Sequence, residues 1–108
     1  MDREKILRLG RDPRAVEALR SIGGFLWFYT ELYPYRTIYT LTVCRGSLCV
    51  YIAGEDMMDM KVPLEAYVQF EDHAERLRQL ERSLEMLVEF SDELNVESPR
   101  EAAQQRLG

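Results

Sequence analysis

Residues 41–52 read Leu41-Thr42-Val43-Cys44-Arg45-Gly46-Ser47-Leu48-Cys49-Val50-Tyr51-Ile52, two runs of alternating, β-favouring residues either side of Gly46-Ser47. Glycine accepts the positive φ that a type II′ turn requires at its first central position, so the stretch predicts a two-residue β-hairpin. A turn centred there sets Arg45 opposite Leu48, Cys44 opposite Cys49, Val43 opposite Val50, Thr42 opposite Tyr51 and Leu41 opposite Ile52. Side chains alternate across a strand, so Leu41, Val43, Leu48, Val50 and Ile52 share an apolar core face. Thr40, Thr42, Cys44, Cys49 and Tyr51 share the other.

Upstream, residues 25–32 are aromatic and β-favouring, and they turn through Tyr33-Pro34-Tyr35-Arg36 into a strand beginning near Thr37. Phe25, Phe28, Tyr29 and Leu32 also fit helical spacing, so periodicity alone leaves both states open. With a loop of two or four residues centred on Pro34-Tyr35, Phe25, Trp27 and Tyr29 join the Thr-and-Cys face; a three-residue loop reverses the assignment. Further upstream, residues 2–9 suit a short helix stopped by Gly10. Asp12-Pro13 then opens a second helix that carries Ala15, Val16, Leu19 and Ile22 on one side and ends at Gly23-Gly24.

Downstream, Glu55-Asp56-Met57-Met58-Asp59-Met60 reads as an acidic loop running into an extended piece at Lys61-Val62 before Pro63 opens the longest element. Residues 64–95 contain neither Gly nor Pro, and Phe70, His73, Leu77, Leu80, Leu84, Leu87, Ser91 and Leu94 recur at spacings of three and four. A helix of that length runs about 45 Å, against about 27 Å for an eight-residue strand, so it either breaks or overhangs its sheet. Ser98-Pro99-Arg100-Glu101 is a capping box that predicts a separate short C-terminal helix. The expected architecture is α+β: N-terminal helix or helices, a three-stranded antiparallel meander, a long amphipathic helix on one sheet face and a short C-terminal helix. Residues 1–97 form one domain in this reading, with 98–108 as helix or tail.

The 108 residues carry a net charge of −5, divided unevenly: +3 over residues 1–54, −9 over 55–97 and +1 over the remainder. An acidic chain is a poor general ligand for nucleic acid, which needs Lys and Arg to neutralise phosphates. Helix, three strands, helix is the element order of double-stranded RNA-binding domains, yet the acidic final helix lacks the basic face such binding needs. No apolar run approaches the roughly 20 residues of a membrane span and no signal peptide opens the chain, so a cytoplasmic setting is expected.

Motifs for catalysis are scarce. Cys44 and Cys49 offer a cross-strand thiol pair and hence a redox-switch reading, but C-x₄-C with no second pair makes no zinc site within one chain. His73 is the single histidine and sits at a seam position, where a structural role is expected. The carboxylates and methionines of residues 55–60 lack a metal-ligand register, and Gly23-Gly24 is no phosphate loop. No cofactor, metal or catalytic residue is expected, and the chain is read as a non-enzyme.

Surfaces are more informative. Glu81, Glu85, Glu89, Glu93 and Glu97 recur every four residues, and such like-charge neighbours cost a helix about 0.2–0.5 kcal/mol each. Arg3, Arg8, Arg11 and Arg14, or a basic partner, are candidates to relieve them. An uncovered face of Phe25, Trp27, Tyr29 and Tyr51 would be a binding surface; covered by the N-terminal helix through Val16, Leu19 and Ile22, it would be a second core. The expected function is a protein–protein interaction module, homodimeric, meeting its partner through Trp27, Tyr29 and Tyr51 or through the seam leucines Leu77, Leu80, Leu84 and Leu87. Two other readings stand beside it. One is an acidic inhibitor of the viral counter-defence type, using Glu81, Glu85 and Glu89 to occupy a basic nucleic-acid site on a larger protein. The other is a thiol switch at Cys44 and Cys49.

Overall fold

The computed structural model describes the backbone of residues 2–107 and the side chains of residues 2–95. Two short helices, α1 (Arg3–Arg11) and α2 (Pro13–Ser21), precede a four-stranded sheet of β1 (Phe25–Glu31), β2 (Thr37–Cys44), β3 (Ser47–Gly54) and β4 (Met57–Pro63). Two further helices follow, α3 (Leu64–Phe70) and α4 (Ala74–Leu107). The sheet is an antiparallel meander in the order β1-β2-β3-β4. The expected α+β class holds, with four strands instead of three.

The β2–β3 turn lies one residue earlier than expected. Arg45 and Gly46 both take positive φ, 54° and 83°, which are the two left-handed positions of a type I′ turn. Cys44 therefore pairs with Ser47, Thr42 with Cys49, Leu41 with Val50 and Thr40 with Tyr51. Every pair has slipped by two positions, an even shift, so each side chain keeps the face assigned to it.

The β1–β2 connection brings a different correction. Glu31 pairs with Thr37, leaving five residues in the loop, and an odd loop turns Tyr29 to the core side opposite Tyr39. A bulge between Trp27 and Tyr29 then reverses the alternation, so Phe25 and Trp27, paired with Thr42 and Thr40, return to the outer face. Phe28 and Tyr29 both point towards the helices as a result, and Tyr29 leaves the aromatic face on which it was expected.

Of the stretch read as an acidic loop, Glu55-Asp56 form the turn, while Met57–Met60 continue the extended Lys61-Val62 piece backwards as β4, an edge strand paired through Cys49–Pro63, Val50–Val62, Tyr51–Lys61 and Ile52–Met60. Only Val62 is even partly buried, so no hydrophobic alternation marks the strand. Asp59 and Lys61 on such an edge discourage pairing with other chains.

The long helix breaks at Glu71-Asp72-His73 without Gly or Pro. Arg3 holds the break from a distance: Nε donates to the Val68 carbonyl (3.1 Å) and Nη2 to that of Glu71 (2.7 Å), occupying acceptors that the end of α3 leaves free. His73 starts α4, its Nδ1 accepting the Arg76 N–H at 3.4 Å. From there α4 runs on through Ser98-Pro99, so the separate C-terminal helix is not formed. At 34 residues α4 is about 51 Å long, roughly twice the length of the strands beneath it.

All four helices pack on one sheet face. Ile6, Ala15, Ala18 and Leu19 from α1 and α2, Leu64, Tyr67 and Val68 from α3, and Leu77, Leu80, Leu84 and Leu87 from α4 close over Phe28, Tyr39, Leu41, Leu48, Val50 and Ile52. Gly10 does not stop α1 but lies within it, at a point where a Cβ would overlap the Leu64 side chain. The stop comes at Asp12, whose carboxylate caps α2 by accepting from the Arg14 N–H at 3.0 Å. Among the described residues no helix is long and apolar enough to cross a membrane.

Candidate functional site

With the helices on one side, the other face of the sheet stays open. Two cross-strand rows span it: Phe25, Thr42, Cys49 and Pro63, then Trp27, Thr40, Tyr51 and Lys61. Phe25 and Trp27 are 59% and 61% exposed, while Thr40 is buried beneath its larger neighbours. Together with Ile38 and Ala53 these side chains frame a shallow depression of about 470 Å³. The N-terminal helices do not cover it, since Leu19 belongs to the core on the opposite side.

The charge of this face is balanced and confined to β4. Lys61 stands beside Tyr51, and Asp59 accepts a hydrogen bond from the Tyr51 hydroxyl, an interaction that raises the phenol above its ordinary pKa. The face thus presents a fixed aromatic ring and one group of each sign at its margin. Its charged groups lie on β4, and its exposed aromatic rings on β1.

Cys44 and Cys49 are both free thiols on this face, diagonal to each other because the register sets Cys49 against Thr42. Burial, reinforced by the neighbouring Cys44 thiol, pushes Cys49 up to about 11. At pH 8 its thiolate fraction is then roughly a hundredfold below that of an ordinary cysteine. Iodoacetamide labelling followed by mass spectrometry should modify Cys49 about a hundred times more slowly than a small free thiol, the rate still climbing past pH 10. Labelling at the small-thiol rate would show that the site is not protected.

The seam leucines are placed elsewhere. Leu77, Leu80 and Leu84 are fully buried and Leu87 nearly so, all within the chain's own core, and none is offered to a partner. Along the acidic stripe, Lys5 reaches Glu85 at 3.0 Å and Glu81 at 3.7 Å, so a lysine of α1 supplies the relief expected from an arginine. Arg14 bridges Asp12 and Asp92, and Arg11 pairs with Glu65. Among the described residues Glu89 has no ion pair. The carboxylates of residues 55–60 disperse: Glu55 faces Arg36 at 3.4 Å and Asp59 holds Tyr51.

One constellation escaped sequence reasoning. Arg76, in the first turn of α4, pairs with Glu31 at the end of β1 and with Glu71 (3.1 Å) in the α3–α4 break. Its guanidinium lies 4.8 Å from the Tyr39 ring centre and 5.7 Å from that of Tyr29. The Tyr67 hydroxyl donates to Glu71 at 3.0 Å, and the His73 ring sits 5.7 Å from Tyr29. Burial raises the Tyr67 and Tyr39 phenols and keeps them neutral. Every charged group here is spent on another of the same chain, which marks a latch joining β1, β2, α3 and α4. The only local hints were the Tyr67–Glu71 spacing of one helical turn and the lone charge of Glu31 on an aromatic strand.

A larger groove of about 780 Å³ lies between α1, α2 and the β2–β3 turn, floored by Leu7, Val16, Leu48 and Leu64. Its rim charges Arg11 and Glu65 pair with each other at 2.9 Å. Compared with known protein families, curated proteins and solved structures, the chain shows no significant match, so function rests on the geometry of its surfaces.

Proposed function

We propose that the chain is a non-enzymatic protein–protein interaction module that self-associates through the open sheet face. The observation that carries this reading is the one-sided packing of the helices, which leaves Phe25 and Trp27 exposed on a rigid four-stranded platform. Aromatic side chains fixed by a sheet lose little entropy on contact, and two sheets pack face to face at about 10 Å. Self-association also suits the charges, because the face holds Asp59 and Lys61 and so meets its own copy without net repulsion.

Size sets the strength. Four strands of about seven residues present a footprint of roughly 450 Å², near half of what each partner gives to a standard interface, so a dissociation constant in the micromolar range or weaker is expected. Trp27 is the sole tryptophan and reports directly on the contact. Its emission should shift to the blue as concentration rises, over the same range in which light scattering shows the mass doubling. Trp27→Glu, at an exposed position, should remain folded and monomeric. A wild-type chain that stays monomeric up to about 1 mM, or a Trp27→Glu variant that dimerises unchanged, would sink the proposal.

The acidic-inhibitor reading has less support, since Lys5 already neutralises Glu81 and Glu85. A thiol switch is disfavoured by the raised Cys49.

A further inference from the structure

The distal part of α4 carries a second unpartnered surface. Met86, Phe90 and Leu94, spaced by four, form one line about 12 Å long and are 61%, 38% and 36% exposed. They lie on the flank of α4 away from Glu81, Glu85 and Asp92, which face α1 and α2 and are paired there with Lys5 and Arg14. Between residues 83 and 95 the sequence holds Glu85, Glu89, Asp92 and Glu93 and not one Lys or Arg. Helix packing neutralises the two carboxylates on the α1–α2 side. Glu89 and Glu93, exposed on the turns beside Phe90 and Leu94, lack an ion pair among the described residues.

We infer that this flank is a docking site for a basic amphipathic helix of another protein, whose apolar side covers Met86, Phe90 and Leu94 and whose Lys or Arg side chains meet Glu89 and Glu93. A second copy of the chain fits poorly. Antiparallel self-pairing centred on the stripe lays the Glu89–Glu93 edge of one copy along the same edge of the other, and parallel pairing offers those carboxylates no cation, since residues 83–95 hold no Lys or Arg. A cationic helix reverses the sign of that interaction and supplies the apolar cover, the arrangement by which amphipathic helices are bound through anchors one turn apart.

The test uses the full chain and two labelled synthetic peptides of about 18 residues, both rich in Leu and Lys. One has Leu at helical spacing; the other has the same composition in scrambled order. Fluorescence anisotropy should show the patterned peptide binding at least tenfold more tightly than the scrambled one. Glu89→Lys with Glu93→Lys should weaken it tenfold or more, and Met86→Ser several-fold, with folding of each variant confirmed by circular dichroism. Trp27→Glu should leave the affinity unchanged, which separates this surface from the sheet face. Equal binding of the scrambled peptide, insensitivity to the double charge reversal, or loss of binding in Trp27→Glu would each overturn the inference. So would a concentration-dependent mass increase that persists in Trp27→Glu and vanishes in Met86→Ser, because the flank would then be self-associating.

Discussion

Leu84→Ala is expected to destabilise the protein by about 3–4 kcal/mol and lower its unfolding midpoint by roughly 10–20 °C, without changing its oligomeric state under native conditions. Leu84 is fully buried, in a core built from all four helices and one sheet face. Removing its isobutyl group forfeits the transfer free energy and leaves a cavity that a closely packed interior closes only in part. Denaturation followed by circular dichroism, with light scattering on the folded sample, checks both halves. The pairing of measurements matters because a heptad-like seam is ordinarily taken for an intermolecular contact. Were Leu84 such a contact, truncation would dissociate the protein and leave its monomer stability nearly intact.

Arg76→Met is the second large effect, with an expected loss of about 2–4 kcal/mol. Methionine keeps much of the stem volume over Tyr39 but strands two carboxylates. Glu71 is largely buried and Glu31 about three-quarters so, and neither has another cation among the described ion pairs. Arg76→Lys should recover less than half of the loss, because an ammonium cannot bridge two carboxylates and lie flat on a ring together. Combining Arg76→Met with Glu71→Gln should restore about 1 kcal/mol or more relative to additivity, since the second change removes the charge left unpaired by the first. Chemical denaturation of the four proteins gives the coupling directly. A cost below about 0.5 kcal/mol for Arg76→Met would mean that the latch behaves as an ordinary surface pair.

What the sequence made legible followed from strong periodicity. The hairpin, the capped start of α2, the glycine stop after it and the leucine seam all rest on short-range patterns, and the hairpin faces survived an error in the turn because that error was even. The failures came from long-range causes. Nothing local marks the bulge beside Phe28, which decides that Trp27 faces outward and Tyr29 inward. The strand β4 has almost no apolar alternation, being held by hydrogen bonds to β3 and not by burial. The α3–α4 break depends on Arg3, far away in sequence, filling the carbonyls of Val68 and Glu71. The open sheet face was half legible for the same reason. Trp27 and Tyr51 belong to it, Tyr29 does not, and whether it was covered depended on which side α2 chose.

The clasp between the first and last elements bears on how the chain is made. Arg3 binds the end of α3, Lys5 binds Glu81 and Glu85, and Arg14 binds Asp92, a separation of 78 residues. Helices α1 and α2 thus have their partners on segments made only after the whole sheet. Until α4 has emerged, the apolar sides of α1 and α2 have only the sheet to rest against, and the lid over Tyr39 and Leu41 is incomplete. The β-meander, whose strands pair with their immediate neighbours, can assemble during synthesis, whereas closure of the helical layer waits until α4 has been made. A nascent chain stalled before Asp92 should accordingly remain open to protease at α1 and α2.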